Sequence, residues 1–164
     1  MPPSNPPPES AARLPAALAL ALAGGLSLFA ALLTHEFLTF GAPGHGLLNA
    51  DRSLCPDIAC PTTGMIVVAH VAKAIGAAIL FAFIGVIWPS GGFRLGVAAL
   101  AFTLQYLVSL VGIASGYRAQ FGTTWAWWEP FAELLWNPLL TPLLLLAGLA
   151  LLFGLDRHLN RSRL

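Results

Sequence analysis

The chain has 164 residues, of which 57% are hydrophobic and only 9% are charged, and its formal net charge is +1. A soluble domain carries about 25% charged residues, so this composition indicates an integral membrane protein and disfavours a soluble globular domain. A net charge this close to zero also gives no general attraction to nucleic acid.

The chain starts with a proline-rich polar stretch, "MPPSNPPPES", and residues 1–12 are predicted to form a disordered tail. An apolar run from Leu14 to Phe40 follows. Crossing a bilayer takes about 20 residues, so this run can form a first transmembrane helix. It is also far longer than the roughly 7–15 apolar residues of a signal peptide. We therefore expect a four-helix transmembrane domain, residues 13–156, to begin here.

The segment between the first and second apolar runs, residues 41–62, is rich in Gly and Pro and is predicted to be irregular. It holds both cysteines of the chain, Cys55 and Cys60, in "LCPDIACP". A cysteine pair outside the cytoplasm usually forms a disulfide, which is the expected state here. The alternatives are a redox pair or a copper-binding pair with His45. Because the spacing is not C-x-x-C, the pair does not match the motif of dithiol redox enzymes.

The second apolar run, Thr63 to Pro89, contains a histidine and a lysine three residues apart, His70 and Lys73. This spacing places both side chains on one helix face. A lysine at a helix centre costs about 2.5–3.5 kcal/mol in a bilayer, so Lys73 is expected to face a buried partner rather than lipid. A short "SGGFR" turn then leads to the third apolar run, Leu95 to Gly116.

The fourth apolar run lies within Pro130 to Leu155 and contains Pro138 and Pro142. Each proline removes a backbone donor, so the pair is expected to kink or break the helix. The carbonyl groups freed in this way need other partners within a bilayer. The pattern fits both a kinked helix satisfied by its neighbours and a broken helix that lines a cavity. Residues 157–164 form a basic tail, expected beside anionic lipid in the cytoplasm.

Each predicted helix carries a stripe of polar or small residues at helical spacing. Small residues allow helices to approach closely in lipid and polar residues bond across the contact, so the stripes are expected to face the bundle interior. They comprise Gly24, Ser27, Ala31 and His35; His70, Lys73 and Ala77; Gln105, Ser109, Gly112 and Gly116; and Glu133, Asn137, Thr141 and Gly148.

The titratable residues of the spans concentrate near one end of the predicted bundle. At a rise of about 1.5 Å per residue, His35 and His70 both lie roughly 8–10 Å below that end. Lys73 lies one turn deeper, and Glu36 and Glu133 lie close to the same end. Lys73 is therefore predicted to form a buried charge pair, with Glu133 as the first choice of partner and Glu36 as the second.

The arginines predict the orientation, because positively charged residues near span ends favour the cytoplasm. Arg52 and Arg118 flank the histidine end of the bundle. The other end carries more arginines, so both termini are predicted to be cytoplasmic and the histidines to lie in the outer leaflet. These arginines are Arg13, Arg94, Arg157, Arg161 and Arg163. Heavy use of Ala, Gly, Pro, Leu and Arg suggests a GC-rich bacterial genome, so the expected location is a bacterial inner membrane.

Two cofactor hypotheses follow from the histidines. His35 and His70 at equal depth could ligate a b-type haem, copper or zinc, because imidazole suits all of these metals. A small amphipathic ligand such as a quinone head group needs hydrogen-bonding groups beside apolar walls. His35, Glu36, His70, Gln105 and Tyr106 would supply those groups.

The sequence carries no G-x-S-x-G, H-E-x-x-H or phosphate-binding glycine motif. The leading expectation is therefore a subunit or assembly partner of a membrane complex of the redox or respiratory type. Its partners would be the lipid bilayer and either other membrane-protein subunits or a second copy of the chain, and not nucleic acid. Transport is less favoured, because four helices are few for a transporter and no inverted repeat is visible.

Overall fold

A computed structural model of the chain describes residues 9–40, 63–121 and 126–161. Every regular element in this part of the chain is a helix and none is a strand, so the all-α prediction is confirmed. Its elements are α1 (Glu9–Thr39), α2 (Thr63–Ile87), α3 (Gly92–Phe121), a short π-helical segment (Phe131–Leu135) and α4 (Leu140–Arg161). α1 begins within the predicted tail 1–12, and α4 continues into the predicted tail 157–164.

Within the described residues, four helices are long and apolar enough to cross a membrane, which agrees with the four apolar runs of the sequence. The candidate spans are Leu14–Thr39, Gly64–Ile87, Gly92–Gly116 and Leu140–Arg161. The helices therefore have the length and composition of a multi-pass membrane protein.

α1 is the central helix of the bundle. Of its apolar span 61% is buried, against 22% in α2, 39% in α3 and 22% in α4. α1 packs most extensively against α2, with Gly85 of α2 pressed onto Ala17. A Cβ atom on Gly85 would lie 2.6 Å from the Cα atom of Ala17, and one on Gly24 would overlap the ring of Phe81. Glycine at these two positions lets the helices approach closely, as expected in lipid.

The outer surface of the bundle is apolar. On α1, Leu14, Leu18, Leu22 and Leu26 recur at every fourth position, and each is more than half exposed. A soluble protein rarely exposes such a continuous apolar stripe, whereas a membrane helix presents it to lipid. The exposed apolar surface therefore agrees with the membrane protein that the composition indicates.

α3 is rotated relative to the predicted polar stripe. Its buried face is formed by Ala98, Phe102, Tyr106, Ser109 and Ile113, with Tyr106 and Phe102 among the largest fully buried side chains. Gln105 is half-buried, and Gly112 and Gly116 are exposed. The prediction that the whole stripe faces the interior is wrong for these two glycines, because aromatic rings on the adjacent face fill the core.

The fourth apolar run is broken rather than kinked. The Asn137 backbone carbonyl accepts the N–H of Thr141 at 3.0 Å, and its side-chain Oδ1 accepts the N–H groups of Leu139 and Leu140 at 3.0 and 2.9 Å. Asn137 therefore caps α4, and Pro138 occupies the first helical position, where its missing donor has no cost. In the hydrogen-bonded helix α4 (Leu140–Arg161), which starts just after this cap, Pro142 is the one proline.

The short segment before this cap ends in a wide turn. The N–H of Trp136 donates to the carbonyl of Phe131 at 2.8 Å, which is the i to i+5 pattern of a π-helix. In a continuous helix the N–H of Leu139 would bond to the carbonyl of Leu135, but here it bonds to Asn137 instead. The carbonyl of Leu135 is therefore left for a partner elsewhere in the bundle.

Candidate functional site

Two buried histidines lie at the same end of the bundle. His35, near the C-terminal end of α1, has no exposed surface, and His70, in the second turn of α2, is 1% exposed. Polar side chains buried inside a membrane bundle require partners or serve a function. These two residues were predicted from the sequence, and their contacts differ sharply.

His35 uses both of its ring nitrogens. Its Nε2 lies 3.0 Å from the carbonyl oxygen of Leu135, and its Nδ1 lies 2.7 Å from the hydroxyl of Tyr106. A carbonyl only accepts, so Nε2 carries the hydrogen. In the uncharged ring Nδ1 then accepts, and Tyr106 donates. His35 therefore ties α1 to α3 and to the carbonyl that the break before α4 leaves available.

His70 faces a carboxylate. Its Nε2 lies 3.0 Å from Oε2 of Glu36, which is itself only 4% exposed. The separation is that of an ion pair, yet neither ring nitrogen of His70 has a partner in hydrogen-bond geometry among the described residues. We interpret this as an electrostatic contact in which the ring of His70 and the carboxylate of Glu36 are not oriented for a hydrogen bond. His70 therefore keeps capacity for a further donor or acceptor, unlike His35.

Lys73 lies one turn beyond His70 and is half-buried. The opposite charge that acts on it is Glu36. Glu133, on the π-helical segment, is exposed and forms no ion pair with Lys73 within the described part of the chain. Glu36 is thus the carboxylate that lies against His70 and whose charge also reaches Lys73, whereas Glu133 lies at the surface.

The described residues contain no group of three or more His, Cys, Asp or Glu side chains that could hold a metal ion. For His35 to bind haem or copper, it would have to release either Tyr106 or Leu135, whereas His70 has an unbonded Nδ1. Cys55, Cys60 and His45 lie outside the described residues, so the predicted disulfide and the alternative copper pair remain predictions.

A second buried polar cluster lies at the opposite end of the bundle and was not predicted. The guanidinium of Arg94 donates to both carboxylate oxygens of Asp156, from Nη1 at 2.8 Å and Nη2 at 2.6 Å. Arg94 is 5% exposed and Asp156 is 4% exposed. Asn160 Nδ2 also donates to Asp156 Oδ1 at 3.1 Å, and Arg94 Nη2 reaches the Ala16 carbonyl at 3.4 Å. The cluster joins α1, α3 and α4.

A signal for this pair was present in the sequence. Arg94 is near the start of the third span and Asp156 near the end of the fourth, and consecutive antiparallel spans bring those ends together. Two opposite charges just inside adjacent helix ends predict an ion pair, but each alone resembles an ordinary interfacial charge.

No protein-family model, curated protein or solved structure shows significant similarity to this chain. The geometry of the buried polar groups is therefore the basis for a functional proposal.

Proposed function

We propose that this protein is a small multi-pass subunit or accessory partner of a membrane redox or respiratory complex, with its functional centre at Glu36, His70 and Lys73. The observation that carries the proposal is His70, a buried histidine 3.0 Å from a buried carboxylate whose ring nitrogens lack hydrogen bonds. Ionisable residues inside membrane spans are costly and typically mark functional sites. A site of this kind can exchange a proton or bind a polar group.

The outward face of α3 supports the partner part of the proposal. Gly112 and Gly116 are exposed, and a Cβ atom at either position would have no atom within 4 Å. Ser115, between them in sequence, is also exposed, and its hydroxyl donates within its own helix to the carbonyl of Val111 at 2.9 Å. Glycines four residues apart allow the backbone of another transmembrane helix to approach closely. We assign this face to a helix of a partner subunit.

The test uses the chain in its native membranes. Solubilised in mild detergent, the tagged chain should migrate on a native gel as a larger assembly that contains a haem- or flavin-bearing chain. Deleting the chain should lower quinol-driven oxygen uptake. His70→Gln should restore the assembly but not the oxygen uptake, whereas His158→Gln, an exposed histidine at the opposite end, should restore both. Unchanged oxygen uptake in the deletion strain, together with migration as a single chain, would overturn the proposal.

A second candidate is binding of a quinone head group, and the contacts of His35 favour it over a bis-histidine haem. Both nitrogens of His35 are already bonded, so two histidine ligands are not available together. His70 can still donate or accept a hydrogen bond. A short-chain benzoquinone should bind the purified protein, and His70→Gln should weaken binding about tenfold, the effect of one hydrogen bond. A Soret band in the purified protein would instead favour haem.

We further propose a bacterial inner-membrane location with both termini in the cytoplasm. Arg94, Arg157 and Arg161 all lie at the end of the bundle where α4 finishes, which supports that end as cytoplasmic. The exposed Trp127, Trp128 and Trp136 near the other end suit an interfacial belt. In this orientation the His70 site lies in the outer leaflet.

A further inference from the structure

A groove lies at the Arg94 end of the bundle, far from the histidine site. It has a volume of about 770 Å³ and opens between the start of α3 and the last turns of α4, beside the turn that joins α2 to α3. α3 and α4 pack only loosely against each other, which leaves this space between them. Residues that line it include Ser90, Arg94, Leu95, Phe153, Arg157 and Arg161.

The polar rim of the groove is positively charged. Arg157 and Arg161 are four residues apart on α4, so they share a helix face, and both are exposed. The one carboxylate among the described lining residues, Asp156, is already bonded through both oxygens to Arg94. The charges of Arg157 and Arg161 are therefore not neutralised by the groove itself.

One donor group of Arg94 has no hydrogen-bond acceptor among the described residues. Its two Nη atoms are bonded to Asp156 and Ala16, but its Nε is buried and has no hydrogen-bond partner among the described residues. A buried guanidinium donor without a partner is unfavourable. Arg94 lines the groove, so this unpaired donor lies beside the space that an anionic group would occupy.

The groove changes from polar to apolar along its length. Phe153 is one helical turn, about 6 Å, further along α4 toward the bundle interior than Arg157. Leu95 lies one residue beyond Arg94 on α3, and both apolar side chains line the same groove. A basic rim followed by an apolar wall matches a phosphate group followed by an acyl chain, and a free phosphate would not need the apolar wall.

We propose that this groove binds one anionic phospholipid. Arg157, Arg161 and the hydroxyl of Ser90 contact the headgroup phosphate, and an acyl chain lies along Leu95 and Phe153. The site is independent of the proposed function, because it uses no residue of the histidine cluster. Basic pockets near the cytoplasmic ends of transmembrane helices are suited to anionic headgroups.

Titration of the purified full chain in detergent, followed by native mass spectrometry, tests this site. Phosphatidylglycerol should bind more tightly than phosphatidylcholine with the same acyl chains. The double variant Arg157→Gln and Arg161→Gln should lower the affinity for phosphatidylglycerol about 30-fold, from roughly 1 kcal/mol per arginine. The loss for phosphatidylcholine should be much smaller, because its choline cation offsets the charge of its phosphate. Arg52→Gln with Arg118→Gln is the matched control, because it removes the same number of positive charges at positions predicted from the sequence to flank the histidine end.

Three results would overturn the proposal. Equal affinity for the two lipids would show that the groove does not select charge. An equal loss in the control double variant would assign the effect to net charge. Glycerol phosphate binding as tightly as phosphatidylglycerol would identify a site for free phosphate instead of lipid. Thermal unfolding without added lipid should be nearly unchanged in the groove variant, since both arginines are exposed, which separates binding from folding.

Discussion

The ring of His35 donates from Nε2 to the carbonyl oxygen of Leu135, 100 positions along the chain, at 3.0 Å. The bond exists because Asn137 and Pro138 start a new helix and leave that carbonyl without its usual partner. Tyr106 occupies the other ring nitrogen at 2.7 Å. One side chain thus compensates a helix break that would otherwise expose an unsatisfied carbonyl inside the membrane.

Replacing Tyr106 should therefore destabilise the bundle. Tyr106→Phe leaves Nδ1 of His35 buried without a donor, at a cost of about 1–3 kcal/mol in the free energy of unfolding. Denaturant unfolding in detergent measures the loss. Nitrogen-15 NMR of the histidines should show the tautomer with hydrogen on Nε2 for His35. Tyr117→Phe removes the hydroxyl of the other tyrosine in the chain and is the matched control. Equal stability of the Tyr106 variant and the wild type would contradict the bond.

The Arg94–Asp156 pair should be strongly coupled. Removing either partner leaves the other buried and uncompensated, at a cost of about 3–5 kcal/mol. The double variant Arg94→Leu with Asp156→Leu should lose less than the sum of the single variants Arg94→Leu and Asp156→Leu. Thermal unfolding in detergent provides the double-mutant cycle. Arg157→Gln removes an exposed arginine from the same helix end and should cost under about 0.5 kcal/mol. Strictly additive losses would show that the pair is not coupled.

The spans and the histidine end could be predicted because they follow from residue type. Apolar runs of sufficient length become membrane helices, and a buried histidine marks an inward face. The break before α4 was partly predictable. The two prolines suggested either a kink or a break. Asn137 followed by Pro138 is the pattern of a helix cap and a first helical residue, and this pattern favours a break.

The rotation of α3 could not be read from its periodicity. Its polar stripe and its aromatic stripe both have helical spacing and lie on adjacent faces. The interior face is decided by packing with another helix: a Cβ on Gly148 of α4 would lie 2.6 Å from the ring of Phe102, so α4 provides the space that this ring fills. Complementarity of this kind depends on which helices are neighbours, and that information is absent from any single span.

The predicted topology can be tested by cysteine labelling. In a background without Cys55 and Cys60, a single cysteine at Thr123 should react with an impermeant maleimide added to intact cells. A single cysteine at Ser90 should react only after the membrane is permeabilised. The reverse pattern would place the His70 site in the inner leaflet and the groove near Arg157 on the outside.

The cysteines of the segment between α1 and α2 give a separate prediction. Mass spectrometry of protein isolated without reductant should find Cys55 bonded to Cys60, because the segment is predicted to lie outside the cytoplasm. Reduction should raise the mass of the intervening peptide by two hydrogens. Two free thiols would contradict the disulfide and favour copper binding with His45, which metal analysis of the same sample would detect.

Lys73 provides the last prediction, because a lysine in a membrane helix needs a compensating charge. The sequence favoured Glu133, with Glu36 second. The structure leaves Glu133 exposed, whereas Glu36 is 4% exposed and is the carboxylate that acts on Lys73. We therefore expect Lys73→Met and Glu36→Gln to be coupled in a double-mutant cycle of unfolding in detergent, by about 0.5–3 kcal/mol.

The matched cycle replaces Glu36→Gln by Glu133→Gln. Its two losses should add within about 0.5 kcal/mol, because an exposed carboxylate is well solvated. Glu36 also contacts His70, so Glu36→Gln carries a cost of its own, and the cycle removes that cost from the coupling. Coupling of Lys73 to Glu133 with additivity at Glu36 would restore the first choice made from the sequence. If the Lys73→Met and Glu36→Gln double variant recovers stability but not oxygen uptake in native membranes, the two charges serve the proposed site as well as the fold.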